Sequence, residues 1–451
     1  MNRDKTERGR DATTLWRRWF AVALAAALAW VSGLLVALFV FDVRSRPVDL
    51  FSLSEVAGLP VPRLAADLNP DYRAMIEEVG GVVYDVVQSY PREPLSVAAL
   101  AQLHNLAHDD EGEIVCWQRC VELDRTCLMA YAPLATRTAE RREYAQAESL
   151  LRSAIHLSDG SAEFSRQLAT VLVSQGKIKD ATQVLEDFLG SHPPNVDAQI
   201  QLGEAYLQIQ ETEKAKRCFQ AAVRIDSTSS RAYHGLAQVF ARLGAKQDAE
   251  RYRAVFGRLR KQEDDANRHG GMKPSDHWMA PQQAAQILTT AARAYHSQGQ
   301  IDLTEQNLRR AAELDPEAPT CRTALVDLYA IQGRLEEAVA IVQELREIAP
   351  DDPRHLRSLA ILLGRLGRLA EAQQCFQELC SMAPSLAAGY AGLAESHLRT
   401  GSDLPLAKAL AVKAARLEPL APNFYLLAAV CEKQGDLPKA RSSLEKAVAL
   451  E

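Results

Sequence analysis

The sequence predicts an all-α solenoid of helical hairpins preceded by a membrane-spanning helix, and three observations predict it. A 34-residue register of apolar and small residues recurs through ten units. Glycine punctuates the middle of most units, and proline closes several of them. A 22-residue run without charge, Phe20–Phe41, stands ahead of the repeats.

At 1.5 Å per residue, the uncharged run reaches roughly 33 Å, enough for a hydrocarbon core of about 30 Å. Trp19 stands at its edge, where an amphipathic ring is favoured. Arg3, Lys5, Arg8, Arg10, Arg17 and Arg18 precede it, and only Arg44 and Arg46 follow closely. The positive-inside rule therefore places the N-terminus in the cytoplasm and the repeats outside. The periplasmic side of a bacterial inner membrane is the expected setting. A cleaved signal peptide is the rival, but its apolar core spans about 7–15 residues before a small-x-small site. This run is longer and ends in Val40-Phe41-Asp42-Val43-Arg44. The chain accordingly opens with a basic tail (1–18), a transmembrane helix (19–41), a tether carrying Pro47, Pro60 and Pro62 (42–69) and a lead-in helix (70–93).

The repeat is clearest at Leu202, Gly203, Tyr206, Ala215, Phe219 and Ala222. One step of 34 back gives Leu168, Ala169, Leu172, Ala181 and Leu185; one step forward gives Leu236, Ala237, Phe240 and Ala249. Units 1–5 occupy 94–263 and units 6–10 occupy 285–451, with a connector loop expected over 264–284 from Gly270, Gly271, Pro274 and Pro281. Apolar residues at helical spacing make two amphipathic helices per unit. Gly176, Gly244, Gly299, Gly333, Gly367, Gly401 and Gly435 fall between them, where a left-handed turn is needed. Pro193, Pro316, Pro350 and Pro384 stop the second helix. One hairpin cannot bury its apolar face alone, so neighbours must stack. Two departures stand out: Arg253 takes a place where a large apolar residue is expected, and the ninth unit slips by one residue at Leu406-Ala407.

With this period, these small residues and these closing prolines, 94–451 resembles the tetratricopeptide repeat family. The resemblance implies a right-handed superhelix whose concave groove, lined by the first helix of each unit, binds peptides or partner domains. Carried over position by position, it implies groove residues Arg231, His234, Arg242, Arg293, His296, Arg354, Arg357 and Arg365. Arginine predominates there although the chain has a net charge of −6, so an acidic protein or peptide is the expected ligand. The Lys and Asn set with which family members clamp a terminal carboxylate is missing.

The acidic balance argues against a nucleic-acid partner. No phosphate-cradling glycine loop, Gly-x-Ser-x-Gly elbow or His-Glu-x-x-His pair occurs, so neither an enzyme nor a cofactor is expected. His104 and His108, four apart and followed by Asp109 and Asp110, could offer metal ligands, but their repeat positions are a core site and a turn. The eight cysteines show no zinc-type spacing and read as small buried hydrophobes. The function expected is that of a membrane-tethered scaffold or adaptor, contacting the bilayer through 20–41. The alternative is an accessory subunit of an envelope enzyme or of an export or assembly complex. The last unit has no further helix over its apolar side, and self-association is expected there.

Overall fold

Each unit folds as two helices joined by a tight turn, and the turns carry the repeat most plainly. Ten residues spaced by 34 within each block adopt positive φ between 57° and 80°: His108, Arg142, Gly176, Gln210 and Gly244, then Gly299, Gly333, Gly367, Gly401 and Gly435. Three units thus hold the left-handed turn without glycine, at a cost of about 1–2 kcal/mol each. Gln210→Gly should therefore raise stability by roughly 0.5–1 kcal/mol, net of the added freedom of the unfolded chain. Chemical denaturation would show this, and a destabilised variant would contradict it.

The computed structural model describes residues 55–62, 64, 69–158, 160–269 and 280–450. The basic tail, the expected transmembrane helix and most of the tether lie outside them. No helix among the described residues is long and apolar enough to cross a membrane. The described chain opens with a two-strand antiparallel hairpin, β1 (Glu55–Val56) and β2 (Leu59–Pro60), pairing Glu55 with Pro60 and Val56 with Leu59. Helix α1 (Pro70–Ser89) follows. It sits in the second-helix register of a preceding unit, because Val79, Val83 and Val86 fall four steps of 34 before Ala215, Phe219 and Ala222.

The first block pairs α2 (Pro94–Leu106) with α3 (Asp110–Leu123), and α4 (Tyr131–Glu140) with α5 (Tyr144–Leu157). It continues with α6 (Ala162–Ser174) and α7 (Ile178–Ser191), α8 (Val196–Gln208) and α9 (Thr212–Ile225), then α10 (Ser230–Arg242) and α11 (Lys246–His269). The second block pairs α12 (Ala280–Ser297) with α13 (Ile301–Leu314), and α14 (Pro319–Gln332) with α15 (Leu335–Ile348). It ends with α16 (Pro353–Arg365) and α17 (Leu369–Met382), α18 (Ala387–Thr400) and α19 (Leu404–Leu417), and α20 (Ala421–Lys433) and α21 (Leu437–Val448). Among the described residues this is an all-helical solenoid apart from the small hairpin.

Two boundaries differ from expectation. Helix α11 runs on to His269 and α12 begins at Ala280, so both enter the span expected as a loop (264–284). No glycine or proline interrupts 258–269, and Pro281 sits in the first turn of α12, where its missing N–H costs nothing. The slip in the ninth unit is taken up in its turn. Ser402 is the added residue, bonded to His397 at 3.0 Å, and Asp403 caps Leu406 N at 2.9 Å. Ala407, Ala411 and Ala414 are consequently all buried.

The connection between blocks is not a continued stack. Helix α12 does not pack on α11; it packs on α1 and α2, the opposite end of the first block. The blocks therefore meet head to head. Composition explains why: α12 buries Ala284, Ala285, Ile287, Leu288, Ala291, Ala292, Ala294 and Tyr295, a helix apolar nearly all round, which belongs inside. Around this junction the Tyr295 hydroxyl donates to Asp85 Oδ2 at 2.5 Å, and its ring meets Tyr90 edge-on at 6.3 Å. Arg310 grips Glu78 with two bonds of 2.6 and 2.9 Å.

Between units, polar contacts supplement the apolar stack. Glu305 on α13 accepts from Tyr329 and Arg334 of the next unit and from Arg309, and its side chain is only 20% exposed. The Arg334 hydrogen bond, first among these, holds its carboxyl down to about 2. A depressed carboxylate contributes stability that is complete above its unfolded value of about 4.3 and fades as pH falls through the folded one. The urea midpoint should thus drop between about pH 4.5 and 2, by less in Glu305→Gln. Equal pH profiles would refute this role.

Candidate interaction surface

Successive first helices touch each other: α4 and α6, α6 and α8, α8 and α10, α12 and α14, α16 and α18, α18 and α20. Successive second helices make no comparable contact. Each block therefore bends towards its first helices, and their exposed sides form its inner surface.

All eight residues implied as groove residues stand on first helices, but in three separate places. Arg231, His234 and Arg242 lie on α10, Arg293 and His296 on α12, and Arg354, Arg357 and Arg365 on α16. Arg231 is shared between Asp197 and Glu204 of the previous unit, at 3.4 Å each. His234 meets Gln238 Nε2 at 2.7 Å and packs on the Phe256 ring with centroids 4.9 Å apart. Arg354 closes on Asp352, the cap of its own helix, at 2.6 Å, and holds that carboxyl down to about 2. Arg293 and His296 are exposed beside the junction, and Arg357 is exposed without an ion pair among the described residues.

Arg242 and Arg365 have a structural duty that the motif mapping missed. Each stands two residues before its turn glycine and donates to a backbone carbonyl 35 residues back. Arg242 bonds to Leu207 O, and Arg365 to Ala330 O at 2.9 Å. Arg399, at the same position one unit on, reaches Gly364 O at 3.2 Å. Cations here add a charge-assisted hydrogen bond to carbonyls in the last turn of the preceding first helix, where the helix dipole favours positive charge. The Arg-x-Gly spacing at 242, 365 and 399 was the available signal. Arg365→Met should cost about 1 kcal/mol and speed hydrogen exchange at the α14 C-terminus. Unchanged exchange there would show that the clamp is idle.

The inner surface of the second block also exposes branched aliphatics. Ile331 on α14 is 75% exposed and Ile361 on α16 is 49% exposed. Ile361 lies four residues from both Arg357 and Arg365, on one stripe of α16, with Asp327 at the equivalent position one unit earlier.

The alternative constellation resolves into structure. His104 is fully buried; Nε2 donates to Pro60 O at 2.9 Å and Nδ1 meets Asp109 Oδ2 at 2.9 Å, fastening the hairpin to the first unit. His108 is a left-handed turn residue. Among the described residues, no three potential ligands gather as a metal site would require. The eight cysteines are unbridged and six are buried; burial pushes the Cys116 and Cys218 thiols up to about 12.

Tetratricopeptide repeat family models match 172–239 and 295–362, and a second such model matches 358–386. No curated protein matches the chain. Among solved structures, yeast Tom70 is 16% identical with a TM-score of 0.34, over 84% of this chain and 89% of that one. YrrB, described as a TPR protein with an unusual peptide-binding site, is 16% identical with a TM-score of 0.34, over 42% of this chain and 98% of its own. MamA from Desulfovibrio magneticus RS-1 is 18% identical with a TM-score of 0.33, over 38% of this chain and 96% of its own. The family matches fall on both blocks and show tetratricopeptide repeats at residues 172–239 and 295–386.

Proposed function

We propose that the chain is a membrane-tethered scaffold that holds partner proteins along the inner surface of its second block. The observation that carries this reading is the stripe Arg357–Ile361–Arg365 beside Ile331. Exposed branched aliphatics flanked by guanidinia suit an extended segment that alternates apolar and acidic side chains. No step of bond chemistry is assigned to any residue. In this reading the chain meets the membrane through residues 20–41, and the flanking-charge count supports repeats on the extracytoplasmic side; a reporter fused after Glu451 tests that orientation.

A photoreactive side chain at Ile361 should cross-link a discrete protein, whose yield falls with Arg357→Glu. The same group at Gln343, on the outward helix α15, should not. Equal labelling from both positions would sink the assignment of the inner surface. The same reading extends to a second copy at the last unit, where Leu437, Leu444 and Val448 of α21 stand 64%, 44% and 63% exposed. Leu444→Asp should then lower a concentration-dependent sedimentation coefficient. A coefficient independent of concentration would count against self-association.

A further inference from the structure

We propose that the open end of the first block is a docking slot for a helix of a partner protein, one that presents a carboxylate at the centre of a small-residue face. The proposal concerns a different surface from the inner stripe and stands apart from it.

Interior units show what normally fills this position. Phe219 on α9 is fully buried, with its ring between two first helices at Gly203 and Gly235; a Cβ at Gly235 would lie 2.2 Å from that ring. Phe376 and Gly392 repeat the arrangement in the second block, again at 2.2 Å. In these two units an aromatic is seated against a glycine of the next first helix; in the other units the same register position holds a large apolar residue such as Trp117, Leu151, Leu185, Leu308 or Val342.

In the fifth unit this apolar position becomes a charged one. The residue 34 after Phe219 is Arg253, which is exposed and makes no ion pair among the described residues. Ile200 and Leu207, 1% and 4% exposed beneath α10, correspond to His234 and Ala241, both exposed. Among the described residues no first helix follows, since α12 packs on α1 and α2 instead. What is left is a cavity of about 650 Å³ between α10 and α11, lined by His234, Gln238, Arg242, Arg253 and Phe256 with two alanines. By register it is the position that the preceding unit offers to α10, and Phe256 keeps an apolar surface there beside His234.

The charge selects the occupant. The lining holds two arginines and no carboxylate. Residues 230–265 carry eight basic and five acidic side chains, three of the acids being Glu263, Asp264 and Asp265 further along α11, in a chain of net charge −6. A face that only needed to stay soluble could use polar groups of either sign. Here one sign surrounds a concavity, and Arg253 replaces the ring that a glycine would meet. The matching group is an aspartate or glutamate in place of that glycine, forming a charge-assisted pair.

The test uses the full-length chain and three synthetic helical peptides based on Ser230–Arg242, the helix that fills this position one unit earlier. All carry Arg231→Gln and Arg242→Gln; the central position keeps Gly235, or has Gly235→Glu or Gly235→Lys. The glutamate peptide should bind at least about tenfold tighter than the lysine peptide. Arg253→Glu should reverse that order, and Arg253→Phe, which rebuilds the interior arrangement, should shift preference to the glycine peptide. Arg253 is exposed, so these variants keep the fold. Equal binding of the three peptides, or a preference that ignores residue 253, overturns the proposal. So does tighter binding to anionic lipid vesicles or to single-stranded DNA than to the glutamate peptide.

Discussion

Ala291→Glu is expected to undock the two repeat blocks. Ala291 is fully buried, one turn before Tyr295 on the face of α12 that meets α1 and α2. A carboxylate there has no counter-ion within the apolar packing, and burying it costs on the order of 3–5 kcal/mol. The Arg310–Glu78 pair cannot offset that, because both side chains are at least 40% exposed and such pairs contribute about 1 kcal/mol or less. The variant should show a larger radius of gyration by small-angle scattering and two melting transitions. A single transition at an unchanged radius would mean that the junction is not what holds the blocks together.

The second large effect is expected at Phe219. Phe219→Ala removes a fully buried ring from between two first helices and should cost about 3–5 kcal/mol. Gly235→Ala fails for the opposite reason, since its Cβ would stand 2.2 Å from the ring. Combined, the two changes partly cancel: the alanine methyl enters space the ring has left. The double variant should therefore lose clearly less stability than the sum of the single losses. Additive losses would show that ring and glycine are not one interaction.

Much of this architecture is legible in the residues themselves. The 34-residue step places every helix pair, and the glycines at 176, 244, 299, 333, 367, 401 and 435 all prove to be left-handed turns. The step also shows where the turn lacks glycine, at His108, Arg142 and Gln210, although glycine-based reasoning passes over them. Arg253 reads as an irregularity in sequence; in space it marks the end of a stack. Other features were illegible for a physical reason. The periodicity of α12 reports that it is buried, and not against which helix, because apolar packing has no address. The groove arginines at 242 and 365 are cations in either role, and only the distance to a carbonyl distinguishes a clamp from a free charge.

The head-to-head junction has a consequence for biosynthesis. Helices α1 and α2 leave the ribosome early, yet the helix that covers them begins at Ala280, 174 residues after α2 ends at Leu106. At about 5–20 residues per second, that surface waits roughly 10–35 s for its cover. Throughout that interval the nascent first block displays valine-rich helix faces to the cytosol or the export machinery, a natural substrate for a holdase chaperone. Maturation of the docked form is thus tied to translation of the second block, even though each hairpin in the first can close as soon as it is made.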